Sequence, residues 1–228
     1  MLKAAAASLS LLLLWAGPAQ AGSVIPPFQI GGAFSVPVTS LKEERSRSTI
    51  RQQFDFSCGS AALSTLLTHH YRYPVTEQAV FEQMFAHGDQ QKIRQEGFSL
   101  LDMKRFLQAH GFDANGFELP LDSLAEAGIP GIVLINERGY NHFVVVKGMR
   151  KGRVLFGDPA GGTRAMPRAD FEAMWVGRIL FVVTNRQDVA GFNLAADWRA
   201  SPSSPINGSV NLKELTGTAL PKYGPSDF

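Results

Sequence analysis

Only one side chain in this chain of 228 residues is a cysteine, Cys58, and its setting is that of a nucleophile. It opens the run Cys58-Gly59-Ser60-Ala61-Ala62, after which Leu63, Leu66 and Leu67 recur at helical spacing. The pattern predicts a helix from Cys58 to about Tyr71. At such a start the unpaired backbone N–H groups and the positive end of the helix dipole favour a thiolate, the reactive form. A thiol pKa below the ordinary range is therefore expected. The competing reading is an inert cysteine packed as a small hydrophobe, and the rest of the sequence has to decide between the two.

A cysteine nucleophile needs a base within hydrogen-bond reach, a group that orients the base, and donors for the oxyanion. His142 follows Gly139-Tyr140-Asn141 and opens the most apolar strand, His142-Phe143-Val144-Val145-Val146. Asp158 ends the next strand at Phe156-Gly157-Asp158-Pro159. A turn at Arg150-Lys151-Gly152 joins the two as a hairpin, so the start of one lies opposite the end of the other, and His142 faces Asp158. Taken singly, His142 is a satisfied histidine at a strand edge and Asp158 an Asp-Pro turn former. Taken with Cys58 they make a Cys-His-Asp constellation. His69 and His70 are adjacent on a helix and point in different directions, which argues against a shared metal. No His-Glu-x-x-His, paired-cysteine or calcium-loop motif is present, so no metal and no cofactor is expected. Gly161-Gly162 and Gly31-Gly32 read as turns rather than phosphate cradles.

The elements that must hold these residues change character halfway along the chain. After the helix at Cys58, Thr76 caps a second helix through about Ala86, and Ser99 caps a third that carries Leu100, Met103, Phe106 and Leu107 on one face and stops at Gly111. Then come short β-branched runs, Gly131 to Ile135, His142 to Val146, Arg153 to Phe156 and Ile179 to Val183, with a short helix around Phe171, Met174 and Trp175 before the last. Helices first and strands second is the α+β pattern, with the N-terminal helices packed on one side of a C-terminal antiparallel sheet.

Residues 1–21 have the three zones of a signal peptide: Lys3, an apolar run from Ala4 to Trp15, and Pro18-Ala19-Gln20-Ala21 before Gly22. The run is too short to span a bilayer, and no later stretch is long enough either, so no membrane span is expected. The sequence thus predicts an exported, periplasmic chain. Its formal net charge falls from +2 to +1 without Lys3, which argues against a nucleic-acid partner. A single cysteine cannot form an internal disulfide, and an exported chain that keeps one free thiol is more readily explained if the thiol is used. The expected organisation is signal peptide 1–21, an extended arm and polar linker 22–47, a domain 48–185, and a flexible tail 186–228 without a periodic apolar face.

Gln52, five intervening residues, Cys58-Gly59 and Leu63, followed by His142-Phe143-Val144-Val145 and, sixteen positions after His142, Asp158-Pro159-Ala160, resembles the double-glycine leader peptidases, a family of papain-like cysteine peptidases. The likeness spans roughly residues 48–185. It implies that Cys58 is the nucleophile, His142 the general base and then acid, Asp158 the orienting carboxylate and Gln52 the oxyanion donor beside the Cys58 N–H. The family commonly has Asp directly before the cysteine, where this chain has Ser57. The signature Arg-Gln-Gln-Phe-Asp-Phe-Ser-Cys-Gly and the signal peptide make the chain similar to a stand-alone exported branch associated with the functional-amyloid (Fap) secretion system. The implied partner is a secreted protein or peptide substrate of the same export system, with small residues, glycine above all, before the scissile bond, since Phe54, Phe56 and Phe143 suggest a narrow apolar slot. Gly31-Gly32-Ala33 also has the form of a double-glycine cleavage site, although a turn is the simpler reading. The rival reading is a non-catalytic peptide-binding module that keeps the fold to assist secretion.

Overall fold

The computed structural model describes residues 39–202 and, as backbone only, the strands β1 (Ser23–Val24) and β2 (Val36–Pro37). These two pair antiparallel, Ser23 with Pro37 and Val24 with Val36, within an N-terminal unit of residues 1–40. The predicted signal peptide, the Gly31-Gly32 pair and residues 203–228 lie outside the described residues.

The remaining unit begins with α1 (Leu41–Ser46) and then α2 (Cys58–Thr65), which continues as a π-helical turn over Leu66–His70. Every residue of α2 is buried, so it is a central helix with no solvent face, as its run of small residues permits. It is followed by α3 (Glu77–His87), α4 (Gln90–Glu96) and α5 (Leu100–Ala109). The Thr76 hydroxyl accepts the Ala79 N–H, and Ser99 with Asp102 forms a reciprocal capping box, so both predicted helix starts stand where their caps put them. Gly111, at φ +76°, supplies the left-handed stop after α5.

β3 (Ala114–Glu118), β4 (Gly131–Glu137), β5 (Tyr140–Arg150), β6 (Arg153–Asp158), β7 (Gly162–Pro167) and β8 (Ile179–Val183) form one antiparallel sheet in the order β3-β8-β4-β5-β6-β7. Alternation along the strands divides their side chains between two cores. Ile132, Phe143, Val145, Phe181 and Val183 pack against α2, α3 and α5. Val133, Val144, Val146, Val154 and Phe156 face the other way, towards α6 (Asp122–Ala127) and α7 (Arg168–Met174), which bring Leu124 and Phe171. The fold is α+β and papain-like, with the N-terminal helices on the sheet as expected. The second face is covered too, because continuous apolar strands such as β5 have two faces to bury.

Two readings of the sequence are corrected and one is refined. The charged stretch Leu41–Ser46, expected as linker, is helical, and its Glu44 is buried and paired with Arg47 and Arg199. The tail does not become free at Arg186. A 3₁₀ turn at Gln187–Val189 leads to α8 (Ala195–Trp198), and Trp198 is 5% exposed beneath the guanidinium of Arg150, 4.7 Å from the ring centroid. The Gly191 N–H donates to His70 O at 2.8 Å, and the Asn193 N–H to Lys147 O at 2.8 Å. Finally, the predicted strand pair β5–β6 contains a bulge between Val146 and Gly148, in which Lys147 is the extra residue. Its ammonium is fully buried and donates to Ser48 O, Ser48 Oγ, Thr49 Oγ1 and Thr163 Oγ1. Gly157, across the ladder, leaves the room, since a Cβ there would lie 2.7 Å from Lys147 Cε.

Candidate active site

Cys58 stands at the first turn of α2, as predicted, and is 7% exposed. A tight turn delivers the chain to it: Ser57 N–H and Oγ–H both meet Phe54 O, at 3.1 and 3.0 Å, and Phe54 N–H donates to Ser57 Oγ at 3.1 Å. Ser57, in the place where the family commonly has Asp, therefore works as a turn-closing hydroxyl and is completely buried. Gly59 is required by close approach, because a Cβ there would lie 2.9 Å from Phe98 Cβ. The thiol does not have the depressed pKa expected of a helix start. Burial pushes it above the ordinary 9.0 and outweighs the Phe143, Gly59 and Cys58 backbone N–H groups that favour the thiolate, while the Asp158 charge opposes it further. The sequence shows the helix start but not how completely the surrounding elements close over it.

That Phe143 N–H bond sets the thiol beside the residue next to His142. His142 is 4% exposed on β5, and Asp158 is 4% exposed at the end of β6. His142 Nε2 lies 3.5 Å from Asp158 Oδ1, an ion-pair separation rather than a tight hydrogen bond, and Nδ1 is buried without a partner. The register pairs Val145 with Gly157, which puts Asp158 across from Val144 and makes its contact with His142 a diagonal one on a shared sheet face. Asp158 Oδ1 also accepts the Ala160 N–H at 2.8 Å, and Oδ2 accepts Arg164 Nη2 at 2.8 Å. Burial opposes the charge of Asp158, but His142, the Ala160 N–H and Arg164 together hold its pKa down at about 2. The pair is thus an anionic carboxylate facing one ring nitrogen, with the other left for a donor such as a thiol.

Gln52 comes to the same place by its backbone, whose N–H donates to Pro159 O at 3.1 Å. Its carboxamide is engaged within the turn: Nε2 donates to Phe54 O at 3.1 Å and to Asp55 O at 3.4 Å, and Oε1 is buried without a partner. Tyr140 closes this loop, its hydroxyl donating to Asp55 O at 2.7 Å while its ring stacks on His142 at 5.5 Å and 27°. Phe54 and Phe56 stack at 5.9 Å and both meet Phe81, forming an apolar strip that continues to Phe85 and Phe98.

Three contributors escaped the sequence reading. Tyr140 was visible only as part of the turn before His142. Glu137 and Arg164, on β4 and β7, are far apart in sequence, and β7, with the run Gly162-Thr163-Arg164-Ala165-Met166-Pro167, lacks the β-branched signal that would have marked it as a strand. Ligand atoms of Glu137, His142 and Asp158 lie within 4.8 Å of one another, which is close enough to bind a cation. Arg164 already bridges both carboxylates, so the cationic place is taken by a side chain. Among the described residues no helix is long and apolar enough to cross a membrane.

The model of the Peptidase C39 family matches residues 46–187. The chain is 39% identical over 210 residues to the probable functional amyloid protease FapD of Pseudomonas fluorescens, covering 92% of this chain and 90% of that one. It is 40% identical over 226 residues to the probable functional amyloid protease FapD of Pseudomonas aeruginosa, covering 96% and 97%. Among solved structures, the peptidase domain of Streptococcus ComA, a bifunctional ABC transporter of a quorum-sensing pathway, superposes with a TM-score of 0.51 at 19% identity, over 60% of this chain and 97% of that domain. At that identity the likeness is one of fold.

Proposed function

This chain belongs to the peptidase C39 family and is a cysteine peptidase, and on that footing we propose that it acts in the periplasm on a secreted protein of an amyloid export system, with Cys58, His142 and Asp158 as its catalytic triad. Two observations support the triad: a buried thiol at the head of α2 is held by the N–H of Phe143, the neighbour of His142, and the buried imidazole is backed at 3.5 Å by an ionised Asp158.

In the resting site the buried thiol favours its neutral form, so the first step is a proton transfer rather than capture by a preformed thiolate. His142 Nδ1 takes the Sγ proton as sulfur attacks the substrate carbonyl carbon, and Asp158 stabilises the resulting imidazolium through Nε2. The C–N bond breaks, the leaving amine takes the proton from Nδ1, and a thioester remains on Cys58. Water, deprotonated by His142, attacks the thioester; the C–S bond breaks, the new carboxylate leaves, and the thiol regains its proton. The Cys58 N–H is one oxyanion donor. Gln52 becomes the second only once its carboxamide releases the Phe54 and Asp55 carbonyls, so substrate entry is coupled to movement of that turn.

The substrate class is supported by the functional amyloid proteases to which the chain is 39–40% identical, and the compartment by the N-terminal signal-like segment. The apolar strip from Phe54 to Phe85 is suited to an extended peptide leading into the site, and the buried thiol to small residues, glycine above all, before the scissile bond. Mapping new N-termini in periplasmic and extracellular protein from cells carrying the natural chain or Cys58→Ala tests the proposal. Cleavage products that depend on Cys58 are expected. Identical N-termini and identical secretion at matched protein levels would leave only a peptide-binding role.

A further inference from the structure

Arg164 is fixed on three sides. Its guanidinium forms a fork on Glu137, with Nη1 at 3.1 Å from Oε1 and Nη2 on Oε2, reaches Asp158 Oδ2 with Nη2 at 2.8 Å, and lies 4.9 Å over the Phe156 ring. The three partners come from β4 and β6, whereas Arg164 comes from β7, so the cation ties together strands on both sides of β5, which carries His142. Oδ2 of Asp158 is thereby pinned, and Oδ1, steadied by the Ala160 N–H at 2.8 Å, is the oxygen left to face His142 Nε2. Gly161 keeps this arrangement open, since a Cβ there would lie 3.3 Å from Oδ2.

We infer that Arg164, held in place by Glu137, is a positioning residue that fixes the rotamer of Asp158 and so keeps the imidazole proton on Nε2 of His142, leaving Nδ1 as the basic nitrogen for Cys58. This rests on the proposed triad and deepens it. An unpinned carboxylate can rotate about its Cβ–Cγ bond and lose the directed contact at Nε2, and the ring nitrogen that carries the proton is decided by the contact the other nitrogen makes. The titratable and charged groups facing Asp158 are His142, Arg164, Glu137 and the neutral Cys58 thiol. Removing Arg164 takes away the one fixed cation among them and leaves two carboxylates uncompensated beside the imidazole.

The test compares the natural chain with Arg164→Met, Arg164→Lys and Glu137→Gln. Tautomer is read from ¹⁵N shifts of the His142 ring, which needs no turnover, and kcat, KM and the pH profile are read with a glycine-containing peptide. The natural chain is expected to show the Nε2–H tautomer. Arg164→Met is expected to give a tautomer mixture, a kcat lower by about 10- to 100-fold with KM within about twofold, and an acid limb of kcat/KM moved to higher pH. Arg164→Lys should restore the limb through its charge but only part of kcat, because an ammonium cannot fork two carboxylates. A folded Arg164→Met chain with the natural tautomer overturns the inference, whether or not the chain hydrolyses the peptide. If Arg164→Met does not fold, Glu137→Gln decides it: a natural tautomer and kcat in that variant equally overturn it. Loss of the peptidase reading shows separately, as equal peptide cleavage by the natural chain and Cys58→Ala.

Discussion

Lys147 allows a quantitative test of how this interior is built. Burial of its ammonium among hydroxyls and a carbonyl lowers its pKa from the ordinary 10.5 to about 8, and the more distant Asp197 offsets this only in part. The drop means that charging Lys147 costs the folded state about 3 kcal/mol more than the unfolded chain. Below pH 8 both states carry the proton and the full cost is present. Between 8 and 10.5 the unfolded chain holds the proton and the folded chain has released it, so stability rises with pH; above 10.5 both are neutral and the cost is gone. Other groups titrate in this range in the opposite sense, since burial raises the pKa of both Cys58 and Tyr71. The Lys147 contribution is isolated by comparison with Lys147→Met, whose side chain fills a similar volume and leaves Thr49 and Thr163 bonded to one another at 2.7 Å. Urea unfolding at pH 7 and at pH 10.5, extrapolated linearly, should show the natural chain gaining about 3 kcal/mol relative to Lys147→Met between the two. A difference that stays constant with pH, or moves in favour of the variant, would refute the reasoning.

The C-terminal segment should be part of the fold as far as about Ser201. A chain ending at Arg186 loses the buried Trp198, the Phe192 contact and the Asn193 bonds to Lys147 and Met149, and should melt at least about 10 °C lower than a chain ending at Pro202. Equal melting temperatures would mean that the segment is dispensable. Iodoacetamide labelling of Cys58 in the resting protein should rise only at a pH above that of a free thiol, because burial outweighs the helix start; a reaction already at its plateau by pH 7 would contradict this.

The parts legible in the sequence are those where local chemistry and tertiary demand agree. Thr76 and Ser99 are caps with their own hydrogen bonds, the strands around Val133, Val144 and Val182 are apolar on both faces, and the Arg150-Lys151-Gly152 turn brings His142 and Asp158 to one end of the sheet. The missed elements are those that propensity opposes. β3 contains Asn115 and Gly116 and exists because β8 pairs along its whole length. α4 has one buried residue, Ile93, and no period to see, although Asp89 caps it with bonds to the Gln91 and Lys92 N–H groups. α8 is four residues long and is held by Trp198 rather than by an amphipathic face. Lys147, written between Val146 and Gly148, gives no local sign that a bulge turns it inward onto Ser48, Thr49 and Thr163. The thiol pKa departs from the sequence expectation for a related reason: a helix start is local and readable, whereas burial in the tertiary fold is not.

Formation of an acyl group on Cys58 is the step of the proposed reaction that can be observed most directly. The purified chain, incubated with a glycine-containing peptide and quenched in acid, should carry a mass adduct equal to the acyl half of the peptide on the Cys58 tryptic fragment, and should release two products that Cys58→Ala and His142→Ala do not. Equal cleavage by Cys58→Ala, or turnover with acyl groups found elsewhere on the chain, would contradict it.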